Sequence, residues 1–211
     1  TNLFTITAAP GTDIWRKPPT TDVFNAPAVR PPGVAPSAGP LLSFLSARVS
    51  LRFNWRDQYD QGGLLLSFIR REFTTIPTSS SPPPQKWIKT GIEFYNGSPR
   101  LSTVACDAWA DWSVAELQAP TSSADATTTT TDRWTTVEIA REEDQHGTSL
   151  WVYQVLDSGE KVPLREICWV FGDRPEEWEV EVKAMAARPG KGVPEGEGLV
   201  VEFGGMEVKW S

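Results

Sequence analysis

The chain has one histidine and two cysteines in 211 residues. A single imidazole excludes a zinc centre built on several histidines, and it leaves no Ser-His-Asp or Cys-His triad unless His146 itself serves. His146 lies in REEDQHGTS, a polar stretch with the composition of a turn, and reads as a solvated loop residue. Cys106 and Cys168 are far apart and form no CxxC pair. Two unpaired thiols favour a reducing compartment, so a cytoplasmic location is expected. Long apolar runs are missing as well: nothing reaches the roughly 18 residues that a membrane-spanning helix needs. The opening TNLFTITAAPGTDIW has neither the basic head nor the apolar stretch of a secretory signal, and none is expected. Positive charge is also in short supply. Lys plus Arg number 20 against 27 Asp plus Glu, a net charge of −7 with a pI near 4.9. A nucleic-acid or anionic-membrane partner calls for a basic face to displace counterions, so neither is expected.

What the chain does have is ten Trp, nine Phe and strands written in period two. RVSLRFNW (48–55) puts Val49, Leu51, Phe53 and Trp55 on one face and Arg48, Ser50, Arg52 and Asn54 on the other. WTTVEIA (134–140) sets Thr135, Val137 and Ile139 opposite Thr136 and Glu138, and LWVYQV (150–155) reads as a strand covered in part on both faces. WEVEVKA (178–184) alternates strictly, with Trp178, Val180 and Val182 inward. LVVEFGGMEVKW (199–210) is a strand broken by a bulge or bend at Gly204–Gly205. Such spacing, with turn residues between the segments, predicts an antiparallel sandwich. Three stretches interrupt it: 25–40, which is Pro-rich and unable to pair in a sheet; 73–86, a polar hairpin tip; and 119–132, a Thr/Ser-rich tract. Strand patterns resume after each, so residues 1–211 are read as one domain with decorated loops.

WIKTGIEFY (87–95) is the segment that points to chemistry. Ile88, Thr90, Ile92 and Phe94 form its core face, while Trp87, Lys89, Gly91, Glu93 and Tyr95 share the other. Lys89 and Glu93 stand roughly 13 Å apart along the strand, at about 3.3 Å per residue, so each needs a partner on a neighbouring strand or a ligand. The face is either a solvated outer surface or a ligand platform on which Trp87 or Tyr95 stacks and the two charges hold hydroxyls. DQYDQGGLLL (57–66) supplies Asp57, Gln58, Asp60 and Gln61 before a Gly62–Gly63 pair that suggests a close backbone approach; the same residues suit a plain turn. These carboxylates lack the spaced ligands of an EF-hand, and no metal is expected. In DAWADWS (107–113), Asp111, Trp112 and Ser113 could begin a turn, with Trp109 and Trp112 as lids on the core. Trp15, Arg16 and Lys17 suit an edge strand covering the sandwich.

In their order, TDIWRK (12–17), DQYDQGGLLL, WIKTGIEF with its following Asn-Gly turn, and DWS make the chain resemble the concanavalin A-like domain-of-unknown-function family that includes the yeast regulation of enolase protein. The resemblance runs over roughly residues 10–210, and the long insertions are similar to those of its fungal branch. It implies an all-β jelly-roll sandwich of two curved antiparallel sheets, like legume lectins and glucanases. It also implies that Asp13, Trp15, Arg16, Asp60, Gln61, Trp87, Lys89, Gly91, Glu93, Asp111, Trp112 and Ser113 are the recurrent positions.

The expected function is non-catalytic: a concave sheet face that binds a carbohydrate or similar polar metabolite through Trp15, Arg16, Asp60, Gln61, Trp87, Lys89, Glu93, Tyr95, Asp111 and Trp112, with no cofactor. An alternative is a glycan hydrolase, isomerase or lyase using Glu93 with Asp60 or Asp111, and with Lys89 as a further candidate. Glycosidase chemistry needs two carboxyls about 5–10 Å apart, and the Glu-x-Asp-x-x-Glu strand of the fold's glucanases is missing. A third reading is a regulatory scaffold whose partner is a metabolic enzyme.

Overall fold

A computed structural model describes residues 3–30, 33, 36–71, 83–118, 133–190 and 197–211. In chain order its strands begin with β1 (Phe4–Ala8), β2 (Ile14–Lys17), β3 (Thr21–Phe24), β4 (Ala28–Val29) and β5 (Ala38–Pro40). The long strands β6 (Phe44–Phe53), β7 (Gln61–Arg70), β8 (Lys86–Tyr95) and β9 (Ser98–Cys106) follow, then β10 (Ala110–Glu116). The last five are β11 (Thr135–Asp144), β12 (Gly147–Val155), β13 (Lys161–Ile167), β14 (Trp178–Ala187) and β15 (Leu199–Trp210). One sheet has the order β1-β15-β6-β11-β12-β13, and the other β10-β9-β8-β7-β14-β4, with β5 also on β14. All these strand pairs are antiparallel, and the architecture is the jelly-roll sandwich. No helix among the described residues is long and apolar enough to cross a membrane.

The period-two segments face inward as their alternation dictates. Val49, Leu51, Val137, Ile139, Val152 and Val201 of the six-stranded sheet meet Leu64, Leu66, Ile88, Val180 and Val182 of the seven-stranded one, all fully buried. Each such aliphatic side chain contributes about 1.5–3 kcal/mol by leaving water. The bulge in β15 lies where the glycine pair predicts it, with a register shift against β6 between Gly204 and Glu207 and a positive φ at Gly205. Trp55 lies beyond the end of β6 but still packs against the core.

Two expectations need correction. Residues 25–40 do pair: Ala28–Val29 and Ala38–Pro40 both lie along β14. Proline is tolerated there because the pieces are two or three residues long and sit at the sheet edge, where a missing donor faces outward; they also shield the edge of β14. Asp111 does not open a turn. The chain bends at Asp107–Trp109, and Asp111 lies inside β10. Residues 73–82 and 119–132 of the other two insertions lie outside the described residues.

The decisive departure concerns the seven-stranded sheet's second face. Hairpin β2–β3 lies across it and, with Leu65, Trp87, Val104, Cys106, Met185 and Ala187, encloses a second apolar cluster around Ile14. The sheet is therefore buried on both sides over half its length, which is why β7 and β8 read as nearly continuous buried runs.

Where β7 and β8 cross the middle of the sheet, Gly63 stands opposite Gly91. A Cβ on Gly91 would lie 2.0 Å from the Gly62 carbonyl oxygen and 2.6 Å from the Gly63 Cα. Backbone cannot yield as a side-chain tip can, so Gly91→Ala is expected to destabilise the fold by about 3 kcal/mol or more, beyond ordinary overpacking. Urea unfolding of the variant beside wild type measures this.

Candidate functional site

Along β8 the side chains of the outer face pass from dry to wet. Trp87 is fully buried beneath Phe24, whose ring meets its own edge-on at a centroid distance of 6.4 Å. Its expected role as a stacking platform for a ligand is thereby corrected: the hairpin occupies that ring. Lys89, 6% exposed, lies at the hairpin's margin. Its ammonium donates to Gln61 Oε1 at 2.8 Å and to Asp13 Oδ1 at 3.2 Å. Glu93, 5% exposed, comes next. Ser102 Oγ donates to its Oε2 at 2.6 Å and Trp112 Nε1 at 3.0 Å. The two charges do find separate partners on neighbouring strands, as their spacing requires.

The register explains the gathering. Gln61 pairs with Glu93 across β7–β8, Gly91 with Ser102 across β8–β9, and Trp112 with Val104 across β9–β10, so these positions share one face. A space of about 10 Å³, the size of one water, lies between Gln61, Lys89, Gly91, Ser102 and Met185. At the strand end Tyr59, Tyr95 and Trp112 form a rim: Tyr95 meets Trp112 edge-on at 4.9 Å and stacks on Tyr59 at 5.9 Å. Tyr59 is held there by a left-handed backbone, φ 70°.

Both donors to Glu93 converge on one oxygen. Its Oε1 accepts no hydrogen bond from the described residues, and Lys89 has spent two of its three protons. Burial pushes the Glu93 carboxyl up, opposed by the Ser102 hydrogen bond, the Lys89 ammonium and the Trp112 indole; the Asp13 charge adds to the rise.

The other expected residues are placed elsewhere. Asp60 is wholly buried, with Arg188 Nε at 2.8 Å from Oδ1 and Nη2 at 2.7 Å from Oδ2, and the backbone N–H groups of Arg56 and Asp57 also on Oδ2. It holds the fold and has no oxygen to offer a substrate. Asp111 pairs with Ala105, on the opposite face of the sheet from Glu93, and binds Arg165 of β13 at 2.6 Å. Neither expected carboxylate pair with Glu93 is assembled. Arg16 donates to the Pro84 and Gln85 carbonyls and pairs with Asp22, and Trp15 packs on the second cluster. Both hold the hairpin down. A carboxylate that does approach from Glu93's side is Asp13, clamped by Lys89. Among the described residues no group of three or more His, Cys, Asp or Glu is placed to hold a metal.

The sequence profile of a family described as "Protein of unknown function (DUF1349)" matches residues 1–210. The chain belongs to this family. Another relative is the Emericella nidulans protein "Uncharacterized protein AN7484", 38% identical over 208 residues that cover 98% of this chain and 86% of that one. The solved structure of "a functionally unknown protein from Saccharomyces cerevisiae" superposes with a TM-score of 0.63 at 20% identity, covering 100% of this chain and 89% of the other. That likeness shows the shared fold.

Within this DUF1349 chain, two contributors went unread in the sequence. Arg188, in AARPG, carried no signal beyond being a lone cation after a strand. Ser102 could have been found by counting residue for residue outward from the Asn96–Gly97 turn, which pairs Tyr95 with Ser98 and therefore Gly91 with Ser102. Two predictions follow from their contacts. Asp60→Asn leaves Arg188 buried without its counter-charge and is expected to cost about 3–5 kcal/mol, whereas Asp111→Asn, in an exposed pair, costs under about 1 kcal/mol; urea denaturation separates them. For Glu93, whose buried carboxyl binds its proton more tightly than an ordinary glutamate, the stabilising contribution is full below the usual carboxylate range and is lost as pH rises through the raised folded value. Glu93→Gln keeps both donors satisfied, so its melting temperature relative to wild type should rise from pH 4 to pH 7. A constant difference would show that burial does not control this carboxyl.

Proposed function

We propose that the protein is a non-catalytic binding protein that takes a carbohydrate or similarly polar metabolite on the outer face of its seven-stranded sheet, at the rim above Lys89 and Glu93. The observation that carries this reading is the half-used pair of charges. Glu93 Oε1 accepts nothing, and the Lys89 ammonium retains a proton, beside the rings of Tyr59, Tyr95 and Trp112. A hydroxyl both donates and accepts, so the hydroxyls of one ligand suit an unused carboxylate oxygen and an unused ammonium proton on the same sheet face, while a ring face suits the apolar side of a sugar. Non-catalytic is the better reading because neither Asp60 nor Asp111 can serve as the second carboxyl that glycoside cleavage requires. We place the protein in the cytoplasm, in keeping with the free thiols of Cys106 and Cys168. A link to carbohydrate metabolism follows from the ligand class.

The test is Trp fluorescence titrated with glucose, cellotriose and glucose 6-phosphate. Saturable quenching is expected in wild type and its loss in Trp112→Phe. Glu93→Gln should bind roughly ten- to a hundredfold more weakly, the size of a hydrogen bond to a charged group. Equal quenching in wild type and Glu93→Gln, or no response to any probe, would sink the reading. Function would then move to the scaffold form, regulation of enolase or another metabolic enzyme by direct contact.

A further inference from the structure

We infer a second binding site, for a neutral saccharide, in the cleft where β6 leaves the sandwich. The last residue of β6, Phe53, pairs with Val201, while β15 starts two residues earlier at Leu199, beside β1. Beyond Phe53 the chain turns away through Asn54, Trp55 and Arg56, and a cavity of about 490 Å³ opens between that turn and Glu197–Glu202. The volume falls within the roughly 300–1,000 Å³ of small-molecule sites. The Lys89–Glu93 rim is separate, since none of its side chains lines this cleft.

The charges of the cleft cancel in pairs. Arg52 Nη2 lies 2.9 Å from Glu202 Oε2, Arg56 pairs with Glu197 Oε2, and Arg188 is committed to Asp60 and to the Glu197 carbonyl. With each guanidinium matched, neither an anion nor a cation is selected. What remains uncommitted is a set of neutral or half-used polar groups. The Asn54 amide and the Trp55 indole N–H have no partner among the described residues, and both Glu197 and Glu202 use only Oε2. Donors and acceptors side by side match hydroxyl groups, which are both at once. Trp55 adds an apolar wall, braced edge-on by Phe53 at 5.6 Å and stacked on Phe94 at 6.4 Å. A ring with hydroxyls on its edge and C–H groups on its face has this chemistry; a phosphate or an ammonium does not.

The experiment is a ¹H–¹⁵N NMR titration of the whole chain with cellotriose and maltotriose, with glucose 6-phosphate and glucosamine as charged counterparts. The neutral sugars are expected to shift the Trp55 indole N–H and the amides of 197–202, and the charged ones to bind no more tightly. Asn54→Ala, an exposed change, should weaken binding roughly three- to tenfold, as the loss of one hydrogen bond does. Trp55→Phe keeps an aromatic wall while removing the indole donor and should weaken it by a similar factor. Three outcomes overturn the proposal: shifts confined to Trp112 and residues 89–95, binding of the charged probes alone, or no shift with any probe at millimolar concentration. The first of these would leave the Lys89–Glu93 reading standing, and shifts at 197–202 without any at Trp112 would do the reverse.

Discussion

The Arg188–Asp60 pair ties together the segments on which both candidate sites are built. Arg188 follows the end of β14, and its carbonyl accepts from Gly11 and Thr12 while its N–H donates to Thr12 Oγ1, which fixes the approach to hairpin β2–β3. Its guanidinium reaches Asp60 and the Glu197 carbonyl, so the turn after β6 and the entry to β15 are held by one side chain. Asp60 completes the join. Its carbonyl accepts the Phe94 N–H, and its carboxylate takes two backbone donors of the 56–57 turn. A buried ion pair is neutral at best against an apolar substitute, but removal of one partner strands the other charge without water. The pair therefore makes the geometry of four chain segments interdependent, and it does so without surrendering any atom to a ligand.

That anchoring decides what the hairpin can do. Held at Gly11–Thr12, β2 and β3 lie over the Trp87 end of the seven-stranded sheet and stop at Lys89, whose ammonium binds Asp13 just before β2. The hydrophobic gain from covering Leu65, Trp87 and Met185 draws the hairpin down, and the Lys89–Asp13 contact marks where that gain ends and polar chemistry begins. Glu93 is left on the open side of this boundary. It is deep enough for burial to favour its protonated form, and near enough to the surface for the rim rings to stand over it.

The sandwich was legible in the sequence because its signal is local. Val49, Leu51 and Phe53, or Trp178, Val180 and Val182, declare their face within one strand, and the Gly204–Gly205 bend is written in two adjacent residues. The split of WIKTGIEFY into two faces was legible for the same reason. What covers the second face was not, because the cover comes from residues 14–24, and nothing in an isolated strand tells a solvated Trp87 from one beneath Phe24. Asp60 is the sharper case. The string DQYDQ offers two aspartates with equal claims, and only the distant Arg188 distinguishes the buried one. Asp111 and Glu93 were similarly grouped by chemistry, while register set them on opposite sides of the sheet.

A sheet face gains a catalytic pair when two uncommitted carboxyls project on one side within reach of one bond. Here each acid near Glu93 has been assigned structural work: Asp60 neutralises Arg188, Asp13 clamps Lys89, and Asp111 ties β10 to β13 through Arg165. The same commitments leave Glu93 Oε1 and one proton of the Lys89 ammonium without a partner among the described residues, on one face of the sheet. These two groups offer an acceptor and a donor whose other contacts hold them in place. Fixed, partly unsatisfied polar groups beside aromatic rings favour recognition, since little further ordering is needed when a ligand arrives.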